Sequence, residues 1–435
     1  MNSENTFNGG ENFDLRKLFV KCRRDNLNDK VSYFNSFIQD LSAKHELQHL
    51  RCVTSAADRE VIVEDNYTKI KNKMLMFGSN NYLGLANHPY VKRKTEEAIE
   101  RYGVGVGGPP LLNGYTDLHS DLEERLAAFK GTEDAMIFSS GYGANVGLIT
   151  ALANNNSKLI YDSYSHASLI DGIKMSGINS EQFEHNNMQR LNELLDNSKA
   201  DDSHDVFVAA EGVYSMDGDT SPLDEVVKLC RSHNAILILD DAHGTGTLGL
   251  NGCGTAEHYG VKDQVDITMG TFSKTFAVTG GFIAASKPII NFLRFFARSY
   301  MFSASLSPIT IASVLAGLDL IKQDKYLLHS FRDNVNYLNN GLQQLGFDTH
   351  SQSGIISLRT PPEMNVRKAA YEFHERGIFL NSIEYPAVPI SQQRFRISIM
   401  ATHTKEDINS LLEAIEEVWS LYISEKKSDI SFVAA

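Results

Sequence analysis

Six short apolar runs, at residues 135–139, 159–161, 206–210, 235–240, 266–271 and 281–285, alternate with segments of helical periodicity. Runs that stay apolar at consecutive positions belong to strands covered on both faces. Helical stretches of roughly 10–20 residues between them predict βαβ units and a mostly parallel sheet. This pattern constrains the chain more than any other feature. The expected class is α/β.

The flanks read differently. Residues 1–12 are rich in Asn, Gly and Glu and suit a frayed terminus. From about 14 to 50 the pattern is helical, with Leu15, Leu18, Phe19 and Cys22 on one face and Phe34, Phe37, Ile38 and Leu41 on another. A charged hairpin is expected after Val61. Past residue 322 the texture shifts to long amphipathic helices with strands at 354–358 and 395–399, closed by a helix over 405–423. The expected division is an N-terminal helical arm and hairpin (1–75), a large domain (76–321), a smaller C-terminal α+β domain (322–424) and a tail (425–435).

Composition narrows the function classes. With 41 basic and 54 acidic side chains the formal net charge is −13, which disfavours nucleic acid as a partner. Four cysteines lacking a Cys-x-x-Cys pattern suit a reducing compartment. No apolar signal core opens the sequence, and no run of about 18 apolar residues suggests a membrane span. A cytoplasmic location is expected.

Ligands of open parallel sheets bind beyond the carboxyl ends of the strands. There the sequence places Asp240 and His243, Thr271, Ser273 and Lys274, a Glu211–Ser215 segment, His166, and a Ser139–Gly143 turn that opens a helix. Such a turn offers backbone N–H groups to an anion. Pyridoxal phosphate (PLP) needs a lysine for a Schiff base, a carboxylate beside its ring nitrogen, and hydroxyls and N–H groups for its phosphate. Thr-x-Ser-Lys supplies two hydroxyls and the amine together.

The segments SNNYLGL (79–85), HSDLEERLAAFKG (119–131), SGYGAN (140–145), DSYSHASLIDG (162–172), EGVYSMDGD (211–219), LDDAHGTGTLG (239–249), GTFSKTFAVTGGF (270–282), MFSASLSP (301–308) and FRISIMATH (395–403) together resemble the α-oxoamine synthases. These are fold-type I PLP transferases, among them 8-amino-7-oxononanoate synthase, glycine C-acetyltransferase, 5-aminolevulinate synthase and serine palmitoyltransferase. The resemblance spans about 75–420 and leans to the soluble bacterial serine palmitoyltransferases. It implies Lys274 as the Schiff-base lysine and the base that removes the Cα proton. Asp240 pairs with the ring nitrogen, His243 bonds the 3′-oxygen with Ser215 nearby, and His166 stacks on the ring. The Gly141 and Tyr142 amides, Thr271 and Ser273 hold the phosphate, joined by Ser303 of a neighbouring subunit in a homodimer with shared sites. Arg396 positions a substrate carboxylate, and Asn80 or Asn81 lines the acyl side. The implied reaction is decarboxylative condensation of a small amino acid with an acyl thioester, carried on coenzyme A or an acyl carrier protein.

Two segments depart from the family. Where relatives commonly read Gly-Ser-Arg or Gly-Ser-Gly, this chain has Gly108-Pro109-Pro110. The prolines remove N–H donors, and no arginine is left for an acyl carboxylate. An uncharged long acyl chain is therefore expected, with serine favoured over glycine or alanine as the amino acid. Ahead of a later proline, where several relatives have arginine, stand Glu384 and Tyr385. A third feature points elsewhere: His45-Glu46-x-x-His49 matches the zinc metalloprotease helix motif. It lies in the arm without a third ligand signature, and no metal is expected.

Overall fold

The computed structural model describes residues 26–154, 156–200, 205–385 and 387–423. The predicted face of Leu15, Leu18, Phe19 and Cys22 and the 425–435 tail lie outside them. Helix α1 (Leu27–Ala43) starts at Asn26, whose side chain accepts the Asp29 amide. It buries Phe37 and Leu41 against Tyr33, Ile38 and Leu47. Phe34, grouped with these from periodicity, is instead 46% exposed, because the buried stripe is narrower than the periodic one. A short strand β1 (Cys52–Val53), the hairpin β2 (Glu60–Glu64) and β3 (Lys71–Met76), and later helix α2 (Asp117–Lys130) follow.

The next strands are β4 (Asp134–Phe138), β5 (Ser157–Asp162), β6 (Asn179–Phe183), β7 (Asp205–Glu211), β8 (Ile236–Asp240), β9 (Ile267–Thr271) and β10 (Gly281–Ala285). They form one seven-stranded sheet in the order β4-β10-β9-β8-β7-β5-β6. Only β10 runs against its neighbours β4 and β9; the other pairs are parallel. Successive residues feed opposite faces. Leu159, Phe207, Ala209 and Ile238 pack on one side, with helices α3 (Gly141–Leu152) and α4 (Ala167–Ser176). Ile160, Val208, Leu237 and Leu239 pack on the other, under α5 (Met188–Ala200) and α6 (Leu223–His233). Two-sided burial is why these runs read as continuously apolar.

Strand β6 was not anticipated. It is the sheet's edge, and its sequence Asn-Ser-Glu-Gln-Phe buries only Phe183. Edge strands carry polar residues because one rim of the strand meets solvent.

C-terminal to helix α7 (Lys325–Gln344) come β11 (Ile355–Arg359), β12 (Ile378–Phe379), β13 (Asn381–Ile383) and β14 (Arg394–Ser398), then α8 (Lys405–Ile423). Strands β11, β14 and β13 make an antiparallel sheet, and β12 pairs with β3 from the N-terminal hairpin. One apolar core runs from Phe77 and Leu126 through Phe331 to Trp419. Arg396 is thereby fixed on a central strand facing the main sheet. Among the described residues no helix is long and apolar enough to cross a membrane.

Candidate active site

The carboxyl ends of β4, β5, β7, β8 and β9 converge on a cavity of about 280 Å³. Gly141, Tyr142, His166, Ser215, Asp240, His243, Thr271, Ser273 and Lys274 all line it. So does Glu211, which the sequence reading gave no role.

One wall is built for an anion. Ser140 caps α3 by accepting the Gly143 amide at 2.9 Å, leaving the Gly141 and Tyr142 N–H groups at the helix start without intrahelical partners. The Thr271 and Ser273 hydroxyls lie opposite, 2.9 Å apart. A Cβ on Gly141 would come within 2.9 Å of Thr271 Cβ and Oγ1, so only glycine lets helix and strand approach this closely. Tyr142 contributes no ring to this wall: its hydroxyl turns outward to Asp171, 2.5 Å away.

The opposite end is built for a cation. Asp240 accepts from Asn145 Nδ2 at 2.8 Å and from the Ala242 amide at 3.1 Å. Burial raises its proton affinity even against the Asn145 bond, so a positive partner would be strongly welcomed. Glu211 stands opposite Asp240 in the β7–β8 register. Its Oε1 is buried without a hydrogen-bond partner, and burial together with the Asp240 charge raises its pKa well above the usual range. Two adjacent carboxyls cannot both ionise cheaply, and Glu211 keeps the proton.

Burial and the nearby Arg396 guanidinium lower the pKa of Lys274. A larger share of free amine results, as nucleophilic chemistry requires. His243 is driven well below its ordinary value, first by burial and then by the charge of Lys274, and is neutral. Its Nδ1 lies 2.7 Å from the Tyr82 hydroxyl, whose own pKa is raised to about 12 by burial. That hydroxyl also reaches Asn80 Oδ1 at 3.2 Å. His166 caps α4 by accepting the Ser168 amide at 3.2 Å, and its ring bonds Ser168 Oγ at 2.8 Å.

These features fit PLP: a free amine, a buried carboxylate for the ring nitrogen and an anion cradle, all within one cavity.

The remaining expected residues do not line the cavity. Arg396 donates to the Ser215 carbonyl at 2.6 Å and to Asn80 Oδ1 and Ser398 Oγ, both at 3.0 Å, which holds it beside the mouth. Asn81 is buried with its Oδ1 accepting the Ala86 amide at 3.2 Å; it shapes the turn, and Asn80 is the member of the pair that meets Arg396. Ser303 borders a separate small void with Pro110, Tyr115, His119 and Ser305. The Gly108 carbonyl accepts the Ser305 amide at 3.0 Å, so the diproline segment is docked on the loop that carries Ser303.

Sequence reasoning places Glu211 and Asp241 at strand ends without assigning them a role, and assigns none to Asn145 or Tyr82. Asn145, one turn into an otherwise apolar helix, was the legible signal. Asp241 forms a buried pair with Lys130 at 2.6 Å, also bonded to Thr255 Oγ1 at 2.7 Å, which stiffens the turn after Asp240. Asp217 pairs with Arg394 and Asp219 with His185. Glu384 forms a two-pronged pair with Arg367 at 3.1 and 2.5 Å.

The zinc motif has no helix to stand on. Helix α1 ends at Ala43, and His45 takes a left-handed φ of 56°. Its ring stacks on Tyr67 at 4.2 Å, while His49 reaches toward Glu384, 3.9 Å away. Without helical spacing the imidazoles do not share a face, and among the described residues no group of three or more His, Cys, Asp or Glu could hold a metal ion.

The fold and this cavity define a PLP-dependent enzyme, and comparison with known proteins gives its family. Residues 72–415 match the model for aminotransferase class I and II, and the chain belongs to that family. Within it the chain is an α-oxoamine synthase, a PLP-dependent acyltransferase. It is 41% identical over 351 residues to the serine palmitoyltransferase of Bacteriovorax stolpii, covering 80% of this chain and 83% of that one. It is 36% identical over 393 residues to the 8-amino-7-oxononanoate synthase of Lysinibacillus sphaericus, covering 90% and 98%. A structure of serine palmitoyltransferase from S. paucimobilis with a bound PLP–myriocin aldimine superposes with a TM-score of 0.85 at 29% identity, covering 92% of this chain and 99% of that one.

Proposed function

We propose that the protein condenses L-serine with a long-chain acyl thioester, releasing CO2 and giving a 3-keto sphingoid base. When bound, PLP supplies an electron sink for charge developing at the amino acid's Cα. Lys274 carries the cofactor and takes the Cα proton as its free amine. Asp240 would pair with the ring nitrogen, where neutral Glu211 leaves it the single negative charge. His243, fixed by Tyr82, would bond the 3′-oxygen, with Ser215 nearby. His166 would stack on the ring. Gly141, Tyr142, Thr271 and Ser273 bind the phosphate, with Ser303 reaching the site of a second subunit in a dimer. Arg396, braced by Asn80, orients the substrate carboxylate.

One observation carries the acyl assignment. Between Arg101 and Arg125 the sequence contains no lysine or arginine, and this stretch exposes Val104, Leu111 and Leu112. It suits an apolar chain and offers no cation to a terminal carboxylate. A second reading, condensation of alanine or glycine with a carboxylate-bearing acyl thioester, is favoured by the 36% identity to an 8-amino-7-oxononanoate synthase. A matrix of amino acids against acyl-CoA and acyl-carrier-protein thioesters, read by product mass, decides between them. Serine with a long saturated chain should give the highest kcat/KM; turnover of alanine with a pimeloyl thioester and none of serine would overturn the serine assignment.

A further inference from the structure

His185 lies outside the cavity, just past the edge strand β6, yet it joins two segments that build it. Its Nδ1 is 3.0 and 3.2 Å from the two oxygens of Asp162, and its Nε2 is 2.7 Å from Asp219 Oδ2. A carboxylate accepts and does not donate, so both ring nitrogens must carry hydrogen. Only the imidazolium form does so. The Tyr164 ring stacks on it at 4.1 Å, and the Tyr214 ring meets it edge-on at 4.4 Å. Asn186 reinforces the arrangement. In a left-handed conformation with φ of 53°, it donates its amide to Asp162 at 2.9 Å and its side chain to Asp219 at 3.1 Å.

The two carboxylates belong to the two loops that matter. Asp162 ends β5 and opens the loop to His166; its Oδ1 also accepts the Tyr164 amide at 2.8 Å. Asp219 closes the loop that begins at Glu211 and carries Ser215, and its carbonyl accepts the Tyr214 amide at 3.0 Å. Among the described residues no backbone–backbone hydrogen bond joins these loops at that point, though the Glu211 carboxyl meets the His166 backbone nearer the cavity. The groups facing the imidazole are therefore Asp162 and Tyr164 from one loop, Tyr214 and Asp219 from the other, and Asn186 beside it.

We propose that His185 is a positioning residue whose imidazolium, clamped between Asp162 and Asp219, sets the spacing between the His166 loop and the Ser215 loop and thereby the fit of the amino-acid substrate. The proposal rests on the cavity being the amino-acid site. Burial opposes the charge, but bonds to both aspartates outweigh it and raise the pKa to about 9, so the clamp is closed at neutral pH.

The test uses the PLP-loaded enzyme with ¹⁵N-labelled histidine, alongside His185→Gln and Asp219→Asn. At pH 7.5 the wild type should show one imidazole with both nitrogens protonated, titrating near pH 9 and absent from His185→Gln. Both variants should keep PLP attached at Lys274 and kcat within about threefold, while KM for the amino acid rises about tenfold to a hundredfold, the signature of lost uniform binding. Asp219 is 42% exposed, so its variant folds if His185→Gln does not. A neutral His185 imidazole at pH 7.5, or variants whose amino-acid KM stays within twofold of wild type, would overturn the clamp. Wild-type enzyme lacking PLP at Lys274 would instead overturn the site reading beneath it.

Discussion

His45-Glu46-x-x-His49 in the arm and Asp240-x-x-His243 at the end of β8 both set histidine close to a carboxylate in sequence, and of the two only the second lines the cavity. In the arm, His45-Glu46-x-x-His49 matches a known pattern residue for residue. Its backbone leaves the helix two residues before the first histidine, and each imidazole goes to a different neighbour: a tyrosine ring and a distant glutamate. At the end of β8, Asp240-x-x-His243 is the looser pattern. Yet Asp240 is 7% and His243 5% exposed, each with a dedicated partner in Asn145 and Tyr82. Spacing becomes chemistry when the backbone that presents it is fixed and the groups are desolvated enough to interact strongly. A strand end in a fully covered sheet supplies both conditions; the segment past α1 does not, because it leaves the helix and points its two imidazoles to separate partners.

That contrast can be broken most forcefully at Lys274. Lys274→Ala should lose the covalent cofactor and lower kcat by about 10³-fold or more, since a positioned base alone contributes 10²–10⁴; steady-state turnover checks this. Next, Asp240→Asn should lower kcat by about 10²-fold and alter the visible spectrum of bound PLP. The double change His45→Ala and His49→Ala, or prolonged chelation, should leave kcat within twofold. Loss of activity with chelator would return the arm to consideration.

A smaller effect is expected where only packing is altered. Gly141→Ala places a methyl 2.9 Å from Thr271; crowding of this kind costs about 1–3 kcal/mol. Thermal unfolding and PLP titration of the apoenzyme should both register it, whereas Gly105→Ala, with open space around it, should change neither.

The smallest effect is a pH dependence of stability. The folded pKa of His185, about 9, lies above its ordinary value. Its contribution is therefore complete below about pH 6.5 and disappears as pH rises through 9. Asp162 works in the opposite sense. Burial raises its pKa, but bonds from His185 and from the Asn186 and Tyr164 amides bring it below the ordinary value. Its contribution is present above about pH 4 and is lost as pH falls further. Wild type and His185→Gln should differ in Tm at pH 7 and converge above pH 9.

The buried sheet was legible because two-sided burial writes itself as unbroken apolar runs; the strand at 281–285 was expected with its observed bounds. Polar residues at strand ends were legible for the same reason, since there they interrupt the pattern abruptly. What escaped was set by partners distant in sequence. Tyr82 reaches His243 across 161 positions, and Lys130 reaches Asp241 across 111. Each looks like an ordinary core tyrosine or helix-end lysine until the chain is folded. The edge strand β6 escaped because its sequence answers to solvent on one side.

The most direct test of the account is where PLP attaches. Borohydride reduction of the purified PLP-loaded protein, followed by peptide mass mapping, should place a single pyridoxyl group on Lys274, with none when Lys274 is replaced by alanine. A pyridoxyl group on Lys130, Lys158 or any other lysine, or retained after the Lys274→Ala change, would contradict it.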